Sequence, residues 1–235
     1  MCSVNKIVGG EAPVKPRRRT LPPEARRRQI IDAVRRVVAE HGVPNTTVSR
    51  VAEAAGVAQG TLYLHFRDRT DMLLAALDSI WADMRGVVEI PGETDELERL
   101  RRAGAKHTEL MATEQGSFAV PWVEFIAAPT KMGLREAVAE TQRRAFAILR
   151  DIVKLGKAEG HIRADVDPDQ LAWEWLMFVW AENIACLVGL DEFFEEKRSQ
   201  PLLELILAKA APDVEPAPRP GCYSAITGRA TTPRR

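Results

Sequence analysis

Gln59, Gly60, Thr61 and Tyr63 bring an amide, a hydroxyl and a phenol together within five residues, and the chemistry open to such a group is recognition by hydrogen bonding. They lie in the stretch Thr47 to Phe66, TVSRVAEAAGVAQGTLYLHF, where two short helical patterns flank a glycine. Val48, Val51, Ala52 and Ala55 fall on one face of the first pattern, and Thr47 stands where its side chain can accept a bond from an orphan amide of the first turn. Gly56 can turn left-handed at little cost and Val57 can plug the corner. Leu62 and Phe66 then resume the apolar face four residues apart. Gln59, Gly60, Thr61 and Tyr63 are thereby turned outward, small or hydrogen-bonding residues over an apolar anchor, as a helix entering the DNA major groove requires. Packing of three helices with no DNA involved is the competing reading of the spacing alone.

Residue by residue, the stretch resembles the tetracycline-repressor (TetR-like) family of bacterial transcription regulators. The resemblance rests on Thr47, Val51 with Ala52, the corner Ala55-Gly56-Val57 and the ending Leu62-Tyr63-Leu64-His65-Phe66, and it continues at Arg69 and Leu73. It implies that Thr47, Tyr63, His65 and Arg69 meet phosphates while Gln59, Gly60 and Thr61 lie nearest the base edges. Ala58 departs from the serine common in the family, which removes one phosphate or base contact. The likeness is specific over about residues 26 to 74; elsewhere it concerns length and helical layout.

The preceding helix carries Ile30, Ala33, Val34, Val37 and Val38 as one stripe and is expected to end at Gly42, with His41 a residue of its last turn rather than a ligand. Arg17 to Arg19 and Arg26 to Arg28 precede that stripe. Residues 1 to 66 hold eleven Lys/Arg against five Asp/Glu, a balance of +6 in a chain that is neutral as a whole. Cationic charge gathered at the motif attracts phosphate without carrying sequence information. The first arginine trio reads either as an arm tracking a groove or as a solubilising leader.

With 235 residues and 46% hydrophobic composition, the chain can bury a sizeable core beyond a small DNA-binding unit. The expected layout is a basic arm over 1–20, a helix-turn-helix domain over 21–67, a helical effector-binding and dimerisation domain over 68–210, and a disordered tail over 211–235. Cys2, Cys186 and Cys222 show no paired ligand spacing and suit a reducing compartment, with Cys186 expected in the core. No apolar run approaches a membrane span, and the first residues lack a secretory pattern, so a cytoplasmic protein with no membrane partner is expected.

From Asp68 the pattern is helical throughout, giving an all-α fold. A fourth helix should carry Met72, Leu73, Leu77, Ile80, Trp81 and Met84 and close at Pro91-Gly92. A charged helix should follow over about Thr94 to Thr113, then an aromatic segment from Phe118 to Phe125 and a long helix from about Lys131 to Glu159. Asp167-Pro168-Asp169-Gln170 combines an N-cap, a first-turn proline and a capping-box glutamine. The helix that follows is apolar on every side, and a last helix over about Glu192 to Ala210 offers a second stripe. Trp180, Ile184, Leu187, Leu203, Ile206 and Leu207 are the expected contacts of a homodimer built from these two helices, in agreement with what the resemblance implies. A monomer with a thick core is the alternative.

Trp81, Met84, Met111, Phe118, Trp122, Phe125, Trp173 and Phe178 are the expected lining of a cavity for a small apolar or amphipathic effector, an expectation drawn mainly from the resemblance; ordinary packing explains each singly. Glu124, Glu174, Glu182 and Asn183 interrupt the apolar segments, either to select a cationic or hydrogen-bonding ligand or to face solvent or a second subunit. His41, His65, His107 and His161 form no close metal-ligand motif, and neither a phosphate loop nor a nucleophile elbow is present. No cofactor or metal is expected. The functional expectation is a regulator on double-stranded operator DNA, most simply a repressor released by an effector. An activator or constitutive binder would share the same residues, and an enzyme or a helical interaction module ranks lower.

Overall fold

The computed structural model describes residues 21–113 and 119–212. Among them the chain forms α1 (Pro23–Asn45), α2 (Val48–Ala55), α3 (Gln59–Tyr63), α4 (Arg69–Val88), α5 (Glu96–Thr113), α6 (Ala119–Ala127), α7 (Leu134–Glu159), α8 (Pro168–Leu187), α9 (Asp191–Glu195) and α10 (Ser199–Ala208). The fold is all-α, with the short helices of the motif near its start. The expected arm over 1–20, nearly all of the expected tail over 211–235, and Phe118 lie outside the described residues. No described helix is long and apolar enough to cross a membrane.

Two compact units divide the described residues: those of Met1–Ala82 with Gly116–Val138, and those of Asp83–Gln115 with Ala139–Arg235. The sequence suggests one division at 67/68, whereas the first compact unit also takes in residues 68–82 and α6. Its reason is packing. α6 lies against α1, Phe125 is fully buried, and the Glu124 carboxylate accepts the Val43 amide at 2.9 Å. That carboxylate therefore closes a helix end within the first unit, where sequence reasoning left it facing a ligand or solvent.

In the first unit, Ile30, Ala33, Val34, Val37 and Val38 bury the expected stripe of α1. Gly42 interrupts the helix at φ 73°, and one further turn, Val43 to Asn45, follows. A Cβ at Gly42 would stand 2.7 Å from Glu124 Oε2, so the position needs glycine both for its backbone and for space. Thr47 caps α2 by accepting the Arg50 amide at 3.3 Å, and Gly56 ends α2 in the left-handed conformation, as their types suggest.

In the second unit, Leu100 and Ala103 of α5, Leu149 and Val153 of α7, Trp175 and Phe178 of α8, and Leu203 and Leu207 of α10 share one core. Fully burying a large apolar side chain such as Leu100 or Phe178 contributes about 1.5–3 kcal/mol, and this burial holds the helices against one another. Asp167 caps α8 by accepting the amides of Asp169 and Gln170 at 2.9 and 3.4 Å. The Gln170 side chain donates to Glu174 at 3.0 Å rather than turning back to the cap. Two expected helices are shorter than their patterns. A 3-10 turn at Thr130–Met132 precedes α7, and the last helix is split into α9 and α10 around Lys197, whose φ of 54° no helix continues through.

Candidate nucleic-acid interface

Leu62 anchors α3 by full burial, and Phe66 secures the turn after it. Gln59, Gly60 and Tyr63 are exposed, Tyr63 at 54%, while Thr61 is half-buried beside them. Among the described residues, an exposed phenol and amide on a short helix, with Leu64 also open to solvent, form a surface free to meet another molecule. The arginines of α1 and α2 brace it. Arg36 donates to the Ala54 carbonyl at 3.1 Å, Arg50 to the Asn45 carbonyl at 2.8 Å, and the Arg27 guanidinium lies 4.9 Å from the centre of the Phe66 ring. Gln29 donates to the Ala55 carbonyl at 2.7 Å. These contacts hold positive charge beside the helix pair, where it attracts phosphate.

Arg69 departs from its expected place at a phosphate. Its guanidinium donates to the Thr46 carbonyl at 2.5 Å and to the Val43 carbonyl, fastening the start of α4 to the α1–α2 corner. Thr46, which sequence reasoning did not single out, is buried there and donates its hydroxyl to the Gly42 carbonyl at 2.8 Å. The corner thus satisfies broken helix ends with an arginine, a threonine and Glu124. Thr47 and His65 flank it, the first exposed and the second half-buried. Ala58 starts α3 with extended backbone and no side-chain cap, so the departure from serine is felt as an uncapped amide.

The residues expected to line a cavity are divided. Trp81, Trp122 and Phe125 belong to the first unit, and Met84, Met111, Trp173 and Phe178 to the second. Met111 and Phe178 are buried, whereas Trp173 is half-exposed and meets Trp180 edge to face at 6.3 Å. Of the expected dimer contacts, Leu203, Ile206 and Leu207 are buried in the core of their own unit, which leaves little of them to offer a second copy. Trp180 and Leu187 are half-buried and Ile184 is 51% exposed. The apolar residues of α10 that face outward are Leu202 and Leu205.

Two acid–base pairs, one buried and one partly exposed, escaped the sequence reading. His107 Nδ1 lies 2.6 Å from Glu182 Oε2, both side chains buried, and Thr108 donates to the other oxygen of Glu182 at 2.6 Å. His161 Nδ1 lies 2.7 Å from buried Glu96, with Glu159 at 3.6 Å and Arg99 3.8 Å from Glu96. Hydrogen bonding to Glu96 raises the His161 pKa above its ordinary 6.5. The ligand atoms of Glu96, Glu159 and His161 lie within 4.8 Å of one another, but an imidazolium and a guanidinium already neutralise these carboxylates, so the group reads as an ion-pair cluster. Each pair joins helices or turns far apart in sequence. The only local signal was a polar residue in an apolar stripe. Cys186, expected in the core, is half-buried, a free thiol whose sulfur lies 3.9 Å from the Met111 carbonyl.

A helix-turn-helix with an exposed, hydrogen-bonding second helix, joined to a larger helical unit, defines a DNA-binding transcription regulator. Residues 30–76 match the model of bacterial regulatory proteins of the tetR family, and residues 123–191 match the tetracyclin repressor-like C-terminal domain. The chain belongs to the TetR family, whose members are regulators and not enzymes. It is 28% identical over 183 residues to the fatty acid metabolism regulator protein of Bacillus subtilis, covering 77% of this chain and 93% of that one. The crystal structure of FadR from Bacillus subtilis in complex with stearoyl-CoA is similar with a TM-score of 0.64 at 25% identity, covering 77% and 98% of the two chains. The transcriptional repressor KstR2 of Mycobacterium tuberculosis is 27% identical over 151 residues, 62% of this chain and 73% of that one.

Proposed function

We propose that the protein is a homodimeric repressor that leaves its operator when a fatty acyl compound binds its second unit. The observation that carries DNA recognition is the outward face of α3, Gln59, Gly60 and Tyr63 over buried Leu62, backed by the arginines of α1 and α2. In this reading Gln59, Gly60 and Thr61 approach base edges, and Thr47, Tyr63 and His65 approach phosphates. A second copy of the chain supplies the second half-site reader. The exposed apolar residues of α8, Trp173 and Ile184, with Val188 just past its end and Leu202 and Leu205 of α10, support that pairing. Repression agrees with the name of the KstR2 relative, and the fatty acyl effector with the ligand named for the FadR structure. Control requires that the effector favour one arrangement of the dimer over another, because a compound bound equally by both changes nothing.

Footprinting of the purified protein on the DNA flanking its own gene, at several salt concentrations, tests the reading. The expected result is protection of a palindrome that persists against competitor DNA and weakens with salt. Tyr63→Ala should abolish the protection by costing at least tenfold in affinity while leaving the dimer intact. Unchanged binding by that variant would remove α3 from the interface. Addition of lauroyl-CoA should release the wild-type protein, and a footprint that survives saturation would exclude induction by that compound.

A further inference from the structure

We propose that His107 is the polar anchor of the effector site and that its Nε2 donates a hydrogen bond to the carbonyl or carboxylate oxygen of a fatty acyl ligand, an inference that rests on the effector reading above. His107 is fully buried on α5, and its Nε2 has no hydrogen-bond partner among the described residues. A buried nitrogen without a partner costs more than a bond gained elsewhere returns, so a native protein retains one where something else satisfies it.

The rest of the dyad says which kind of group that is. Glu182 accepts from Thr108 with Oε1 and lies 2.6 Å from His107 Nδ1 with Oε2, so its oxygens are occupied. No other cation pairs with it among the described residues. Nε2 is thus the polar atom of the pair left to meet something else. With a hydrogen on that nitrogen, as the proposal requires, the group it meets is an acceptor. The surroundings are apolar: Met111 follows His107 by one turn of α5, Phe178 precedes Glu182 by one turn of α8, and both are buried. An acceptor oxygen on a long apolar body matches that combination, and a donor head on the same body does not.

Binding of lauroyl-CoA, laurate and dodecylamine to the full-length protein, below their micelle concentrations and without DNA, tests the assignment. Lauroyl-CoA or laurate should bind and dodecylamine should not; binding of the thioester alone names a carbonyl as the natural acceptor, and binding of both admits a carboxylate. His107→Asn keeps a donor at the place of Nδ1 and deletes Nε2. It should weaken the acceptor-headed probe about tenfold with thermal stability retained, and His107→Gln, which restores a donor near Nε2, should recover part of the loss. Nitrogen NMR of the labelled imidazole should show a hydrogen on Nε2 before the probe is added and a shift of that nitrogen afterwards. Failure of both acceptor-headed probes to bind, equal binding of dodecylamine, unchanged affinity in His107→Asn, or a bare Nε2 would each overturn the proposal. Operator binding by the same preparations separates the two readings. A protein that grips its operator but ignores the probes loses the anchor and the fatty acyl effector while keeping DNA recognition, and one that takes laurate through His107 but no DNA loses the repressor reading alone.

Discussion

Ala58 is the weakest residue of the DNA-facing helix, and the reason is one missing oxygen. Its backbone is extended at φ −70° and ψ 148°, the conformation of an N-cap, but a methyl group cannot accept an amide of the first turn. Ala58→Ser should stabilise the protein by about 1 kcal/mol, seen as a higher thermal midpoint, and a midpoint that stays or falls would show that the turn is already satisfied. A second residue-scale consequence concerns pH. Because the hydrogen bond to Glu96 raises the His161 pKa in the folded chain above 6.5, its stabilisation is fully present below about pH 6.5 and fades as pH rises through the raised value. Unfolding midpoints should therefore decline above pH 6.5, and His161→Gln should flatten that part of the profile; an unchanged slope would place the pH response elsewhere. The outward face of α3 was legible because Gln59, Gly60 and Tyr63 stand within a few residues of Leu62 and Phe66, whose burial fixes the phase. The partners of His107 and His161 were not, being 75 and 65 positions away, where helical periodicity says nothing about which stripes meet.

Among the elements, α6 departs most from what its sequence suggests. Its aromatic and apolar residues identified it as a buried helix, but not which unit it serves. Apolar side chains are interchangeable in that respect, and only the Glu124 carboxylate against the Val43 amide marks the destination. Glu124→Ala would leave that amide without its acceptor and should destabilise the protein by about 1–3 kcal/mol in denaturant unfolding, whereas Glu124→Gln, which keeps an acceptor oxygen, should cost less. Equal losses in the two variants would mean that charge rather than the hydrogen bond holds the corner. The division of the last helix was equally hidden. Lys197 takes a left-handed backbone that glycine or asparagine would have announced, and lysine does not. The ends of α2 and α8 were legible for the opposite reason: Thr47, Gly56 and Asp167 act through their own side chains or lack of one, within a few residues of themselves.

At the scale of the whole molecule, the helix that is apolar all round resolves into two stripes. Leu171, Trp175, Phe178 and Val179 face the core of their own unit, while Trp173, Ile184 and Val188 remain open, joined by Leu202 and Leu205 of α10. Sequence alone sees both stripes as apolar and cannot tell the buried one from the exposed one, as at Leu203, Ile206 and Leu207 of α10. Leu205→Glu should convert a dimer to monomers in sedimentation and weaken operator binding with little change in unfolding of the protomer. Leu203→Ala should instead lower stability by about 2–5 kcal/mol. If Leu205→Glu sediments as wild type, the second copy docks on another surface. The corner at Val43 has a last consequence, for synthesis. The carboxylate it needs is encoded 81 positions later, so a nascent chain released through α4 carries a corner that is still one bond short. The first unit is complete only after α6 has cleared the ribosome, and a gene cut after residue 82 would encode a unit missing one of its own walls.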